Sequence, residues 1–166
     1  MTERTSHANR ATAVDLACFE LADRSWAVPI ARVREILATP AITPLPDAPA
    51  CIEGLMALRG TLIPVLDLAG LVGAPEPTPG SGGRTVVVEA CGLVFGFRVD
   101  RATQVLAADA TSTEILPPPG SGGSRVVGAI VRRGDRSPVL VLDLESIVLR
   151  VAPSVRTDRA EGEEAA

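Results

Sequence analysis

Lysine and tyrosine are absent from this chain, and histidine occurs once, as His7 in a polar N-terminal stretch. With a single histidine so placed, a Ser-His-Asp triad, histidine acid–base catalysis and a His-rich metal site all drop out. Aromatic side chains are equally scarce. Trp26, Phe19, Phe95 and Phe97 are the whole set, too few to stack single-stranded bases. The formal charge of −4 also runs against a phosphate-backbone binder, so no nucleic-acid partner is expected. Cys18, Cys51 and Cys91 are odd in number and show no C-x-x-C spacing; they read as small apolar residues in a reducing compartment. No apolar run follows the polar start Met1-Thr2-Glu3-Arg4, and each later hydrophobic stretch is broken by Gly, Pro or charge before it reaches the length of a membrane span. The expectation is a cytoplasmic chain with no direct membrane insertion.

What the sequence does hold is aliphatic. Hydrophobic residues make up 46% of it, mostly Val, Leu, Ile and Ala, which suits a β-rich core. Short runs with strand character lie at Val14 to Leu21, Ser25 to Ile30, Thr61 to Leu66, Thr85 to Glu89, Leu93 to Val99, Arg125 to Val131 and Pro138 to Leu142. The stretches Gly73 to Gly83 and Pro117 to Ser124 are dense in Pro, Gly and Ser and read as loops. Helix is expected only as a turn or two near Arg32 to Leu37, after Asp67 and after Asp143. Many short strands divided by turn signals mean a barrel or a sandwich. By composition, residues 1–12 form a disordered tail, 13–152 one domain and 153–166 an acidic disordered tail.

An internal repeat organises the middle. Gly54-Leu55-Met56-Ala57-Leu58-Arg59-Gly60 is followed by Pro64 and then Val65-Leu66-Asp67-Leu68; Gly128-Ala129-Ile130-Val131-Arg132-Arg133-Gly134 is followed by Pro138 and then Val139-Leu140-Val141-Leu142-Asp143-Leu144. Upstream, the segment Val28 to Leu37 lines up with Phe97 to Leu106. A duplicated unit follows, with subdomains of roughly 13–78 and 79–152 that pack together and share a core.

One Asp per half brings to mind a catalytic duplicated barrel in which Asp67 and Asp143 share a proton. That chemistry needs a small hydroxyl residue and Gly after the Asp, whereas Leu68-Ala69 and Leu144-Glu145 follow here. Helix capping is the better reading: each Asp ends a strand and opens a short helix as N-cap, and Gly73 closes the first of them. The Gly-rich loops Gly80-Ser81-Gly82-Gly83 and Gly120-Ser121-Gly122-Gly123 lack the phosphate-loop pattern and read as linkers. No metal or other cofactor is expected. Arg59 stands between Leu58 and Gly60 in an apolar segment, where a charge must be paired or displayed. Glu35 poses the same question with the opposite sign.

Val28-Pro29-Ile30 with Val33-Arg34-Glu35-Ile36, then Thr43 to Pro49 (T-P-L-P-D-A-P), then Ile52 to Leu68 (I-E-G-L-M-A-L-R-G-T-L-I-P-V-L-D-L) resemble the CheW family of chemotaxis coupling proteins. Gly96 to Asp100, Ile115 to Pro118, Val127-Gly128 and Val141 to Leu144 continue the resemblance, which covers about residues 14–150 in order. It implies an all-β fold of two intertwined five-stranded SH3-like β-barrels with a few short helices. It also implies a non-enzymatic scaffold that bridges the regulatory domain of a CheA-type histidine kinase and the cytoplasmic tip of chemoreceptors, associated with receptor arrays through those partners. Carried over residue by residue, receptor or partner contact falls on Val33, Glu35, Gly54, Arg59 and Gly60. Ala57 stands where many members have Asn, and the second-half loops are Gly/Ser-rich. The same module in a non-chemotactic pathway, such as surface motility, development or second-messenger control, is the alternative.

Overall fold

The computed structural model describes residues 14–76, 83–108, 114–116 and 126–161. The 1–12 tail, most of the first Gly/Pro-rich loop and all of Pro117 to Ser124 lie outside these residues. The strands are β1 (Val14–Leu21), β2 (Arg24–Pro29), β3 (Val33–Ala38), β4 (Ile52–Leu58), β5 (Thr61–Leu66), β6 (Arg84–Ala90), β7 (Leu93–Val99), β8 (Arg101–Ala108), β9 (Glu114–Leu116), β10 (Val127–Arg132) and β11 (Val139–Leu142). A 3-10 turn spans Ile30–Arg32, α1 spans Leu68–Val72 and α2 spans Leu144–Glu161.

These strands form two sheets, ordered β3-β6-β7-β5-β4 and β8-β1-β2-β11-β10-β9. Neither sheet keeps to one half of the sequence. The hairpin β1–β2 of the first repeat lies in the sheet of the second, with β2 running parallel to β11; β6–β7 of the second lies in the sheet of the first, with β7 parallel to β5. Subdomains 13–78 and 79–152 are therefore units of sequence, and the two SH3-like barrels exchange a hairpin. The sixth strand of the second sheet has a counterpart in the first. Leu116 of β9 pairs with Ile130 of β10, and Thr43 makes the corresponding isolated bridge to Leu55 of β4.

Two-residue turns set the registers of three hairpins. Ala22-Asp23, Arg59-Gly60 and Cys91-Gly92 all have positive φ at both positions, the backbone whose twist matches that of paired strands. Bulges are duplicated as well. Register slips between Val33 and Glu35 on β3, and at the matching place where β8 meets β1. It slips again between Ile52 and Gly54, and between Val127 and Ala129. By pairing, Gly54 corresponds to Ala129, so the sequence alignment of Gly54 with Gly128 is out by one residue.

Strand exchange produces three apolar cores. Met56, Ile63, Val65 and Val87 fill the first barrel, with Leu37 and Leu58 at its margin; Leu16, Cys18, Ala27, Leu106, Val131 and Val139 fill the second. The largest core lies between the barrels, where Phe19, Trp26 and Val28 meet Val86, Val88, Phe95 and Phe97. Phe19 and Phe97 are in contact with ring centroids 5.4 Å apart and planes tilted by 49°. Helices α1 and α2 close this core with Leu68, Ala69, Leu144, Ile147, Val148 and Val151.

Three sequence expectations are corrected. Arg32 to Leu37 is a strand after one 3-10 turn, because β3 pairs along β6; the helical spacing of Val33, Ile36 and Leu37 loses to that pairing. Strands β4, β8 and β9 were not anticipated. Helix α2 outruns the turn or two expected after Asp143 and continues to Glu161, into the stretch assigned to the acidic tail. Two outcomes are expected from this architecture. A fragment of residues 13–78 should give the far-UV circular dichroism of an unfolded chain, since β1 and β2 lose β8 and β11. In the full chain, Phe97→Ala should cost about 3–5 kcal/mol in a denaturant titration.

Candidate partner-binding site

The bulge at Arg34 decides where the V-x-E segment points. In an unbroken strand residues two apart share a face, but Val33 pairs with Val88 and Glu35 with Val87, and those two valines belong to different cores. Val33 accordingly packs against the inter-barrel core, while Glu35 is turned to the mouth of the first barrel. A bulge re-aiming a side chain in this way is a recurrent device.

Arg59 meets Glu35 there. Its Nη2 donates to Glu35 Oε1 at 3.4 Å, although β3 and the β4–β5 hairpin stand at opposite ends of the strand order. The pair spans the mouth as the sheet curls into a barrel. Arg59 is 81% exposed and Glu35 31%, so the contact contributes only about 0–1 kcal/mol to folding. Its weakness leaves the guanidinium available. Arg59 also holds φ at 49°, an uncommon conformation for a long side chain, tolerated here because the two-residue turn requires it. Gly60, at φ 80°, completes the turn at little steric cost.

Gly54 behaves differently from the other residues of the set. It is buried, and a Cβ there would lie 2.4 Å from Thr43 O and 2.8 Å from Ile42 Cγ2. Thr43 and Leu55 exchange backbone hydrogen bonds of 2.8 and 2.9 Å across this close approach. Gly54 shapes the site from beneath and presents no side chain. The structure thus joins Glu35, Arg59 and Gly60 at one mouth, with Val33 turned toward the seam and Gly54 inside.

One surface residue of the tip escaped the sequence reading. Leu62, 67% exposed, is paired with exposed Ala57 on the outer face of the hairpin. Its signal was alternation: Ile63 and Val65 point into the barrel, so Leu62 must point out.

Asp67 and Asp143 occupy matching positions and cap separate helices. Asp67 Oδ1 accepts from Gly70 N at 3.0 Å; Asp143 Oδ1 accepts from Ser146 N at 3.0 Å, and its Oδ2 from Ser146 Oγ at 2.8 Å. Their backbone N–H groups donate to Cys51 O and Val126 O, again at corresponding places. No hydrogen bond joins the two carboxylates, so the structure does not assemble the catalytic pair. Gly73 ends α1 at φ 69°, as expected. Among the described residues, no three His, Cys, Asp or Glu side chains cluster as metal ligands, and no helix is long and apolar enough to cross a membrane.

Two SH3-like barrels that exchange hairpins and seal a common core define a duplicated β-barrel domain, here with an ion-paired turn at one mouth. The family model for the CheW-like domain matches residues 15–152, and the chain belongs to this family. It is 29% identical over 137 residues to the chemotaxis protein CheW of Treponema pallidum, with 80% of each chain covered. It is also 28% identical over 134 residues to the protein FrzA of Myxococcus xanthus, covering 79% of this chain and 82% of that one. The crystal structure of the scaffolding protein TtCheW from Thermoanaerobacter tengcongensis superposes with a TM-score of 0.71 at 30% identity, over 80% of this chain and 90% of that one.

The capping geometry yields a direct test. Asp67→Ala and Asp143→Ala should each lower stability by about 0.5–2 kcal/mol in chemical denaturation. The double variant should lose close to the sum, because the two caps share no partner.

Proposed function

We propose that this chain is a non-enzymatic cytoplasmic adaptor that couples chemoreceptors to a CheA-type histidine kinase. The observation that carries the reading is the Arg59–Gly60 turn at the mouth of the first barrel, with Glu35 behind it. A guanidinium held on a tight turn, one arm steadied by a carboxylate 3.4 Å away, offers its remaining N–H groups as a planar fork. Such a fork suits a partner's carboxylate or the terminal carbonyls of a helix, and a lysine does not reproduce it. The apolar surface of Leu62 and Ala57 beside it supports a helix laid across the tip. Family membership and the likeness to a scaffolding protein support the same role.

Receptor engagement is assigned to Glu35, Arg59 and Gly60, with Val33 and Gly54 holding their surroundings. Association with arrays at the inner face of the membrane then passes through the partners. A second reading keeps the adaptor and changes the pathway: FrzA and PilI, the latter 32% identical over 102 residues, carry names other than chemotaxis protein.

Arg59→Ala should weaken binding of receptor signalling fragments, measured by calorimetry, by about tenfold or more, or about 1–2 kcal/mol. Glu35→Ala should act in the same assay with a smaller effect, as a rim charge does. The thermal midpoint should stay close to that of the parent in both variants. A folded Arg59→Ala protein that binds as tightly as the parent would remove the site assignment. Failure of the parent chain to bind any receptor fragment or kinase regulatory domain would remove the pathway.

A further inference from the structure

The two barrels match strand for strand, so their mouths can be compared position by position. In the first, Leu58 packs at the margin of the barrel core and Arg59 meets Glu35. Pairing places Leu55 opposite Pro64 and Met56 opposite Ile63 in one barrel, and Ile130 opposite Leu140 and Val131 opposite Val139 in the other. Counting on from Met56 and Val131 along the outgoing chain, Arg133 falls level with Leu58 and Gly134 with Arg59, in a connection one residue longer than that of the first barrel. Gln104, paired with Cys18 across the duplicated bulge, takes the place of Glu35. The second mouth therefore has a guanidinium where the first has a leucine, and an amide where the first has a carboxylate.

Arg133 is half-buried, and its Nε is buried without a hydrogen-bond partner. Among the described residues no carboxylate forms an ion pair with it, and Asp135, two residues on, is exposed. Its charge reaches the barrel interior, where burial pushes the Cys18 thiol up while Arg133 pulls it back down. A cation with a buried, unsatisfied donor is costly unless something supplies the acceptor. Among the described residues, none supplies it to Arg133 Nε. Gln104, exposed and paired across from that same Cys18, offers one further donor group.

We propose that the mouth of the second barrel, built from Arg133 and Gln104, binds a carboxylate presented by an acidic segment of a partner protein. The first mouth neutralises itself through Glu35; the second is completed from outside. This site is separate from Arg59 and stands whether or not the receptor assignment holds.

The test uses the full chain labelled with 15N, titrated at constant ionic strength with an acetylated, amidated tetraglutamate peptide and, in parallel, with inorganic phosphate. Saturable shifts of the Arg133 Nε–Hε and Gln104 side-chain amide signals with the peptide are expected, at least tenfold weaker with phosphate. Arg133→Leu installs the residue of the first barrel. It should abolish the peptide response while raising the thermal midpoint by about 2–4 °C, the shift expected for relief of a modest buried-charge cost. Peptide binding to Arg133→Leu equal to the parent would overturn the proposal. So would a lowered midpoint in that variant, which would mean that Arg133 is already satisfied within the fold, or phosphate binding as tight as the peptide's.

Discussion

The contact on which the rest depends is the inter-barrel core sealed by exchanged hairpins. Phe19 comes from β1 and Phe97 from β7, and each lies in the sheet built mainly by the other repeat. Neither barrel can be completed without a hairpin from the other half, and neither exchanged hairpin has a full set of partners until both halves have folded. Burial of Phe19, Trp26, Phe95 and Phe97 in one cluster places the heaviest apolar stabilisation at the seam, since full burial of a side chain of this size contributes about 1.5–3 kcal/mol. The two barrels are fixed relative to each other by this core.

Fixing the seam frees the mouths. At the mouth of the first barrel an exposed ion pair, Arg59 with Glu35, replaces packed side chains; other exposed pairs join Arg101 to Glu20 at 2.6 Å and Arg32 to Glu145 at 2.8 Å. Such pairs contribute little to folding, so they can be exchanged for contacts with another protein at small cost. The bulge at Arg34 and the left-handed turn at Arg59 bring one such pair to the surface. Both are backbone features set by strand register, which in turn is held by the core.

How much of this was legible in the sequence follows from what each element buries. Strands β1, β5 and β7 were readable to the residue because half or more of their residues are buried and their runs of Val, Leu, Ile and Phe are bounded by turns. The caps Asp67 and Asp143 were readable because capping is a local hydrogen bond. Edge strands were not. Strand β8 (R-A-T-Q-V-L-A-A) is exposed along most of its described length, so no apolar alternation marks it, and β3 alternates between half-buried and exposed with a spacing that also fits a helix. The exchange of hairpins is non-local and leaves no mark on composition; it entered the sequence reading only through family resemblance. Glu35 and Arg59 were singled out as charges in apolar segments, but that they meet depends on the curl of a whole sheet.

Duplication adds a physical constraint that sorts the residues. At the seam, corresponding positions differ in size while remaining apolar: Phe19 matches Val88, Val28 matches Phe97, and Leu21 matches Ala90, as the registers of the two exchanged hairpins require. At these three positions large faces small across the pseudo-twofold axis, while Trp26 and Phe95 correspond and are both large. Chemistry is held constant there and only volume is traded. At the mouths the reverse holds, because volume is unconstrained in solvent and chemistry has changed: Glu35 against Gln104, Leu58 against Arg133, Arg59 against Gly134. An identical pair of mouths would bind one kind of surface twice. Divergence of charge at the mouths, over a core that keeps its apolar character, gives one body with two chemically different ends.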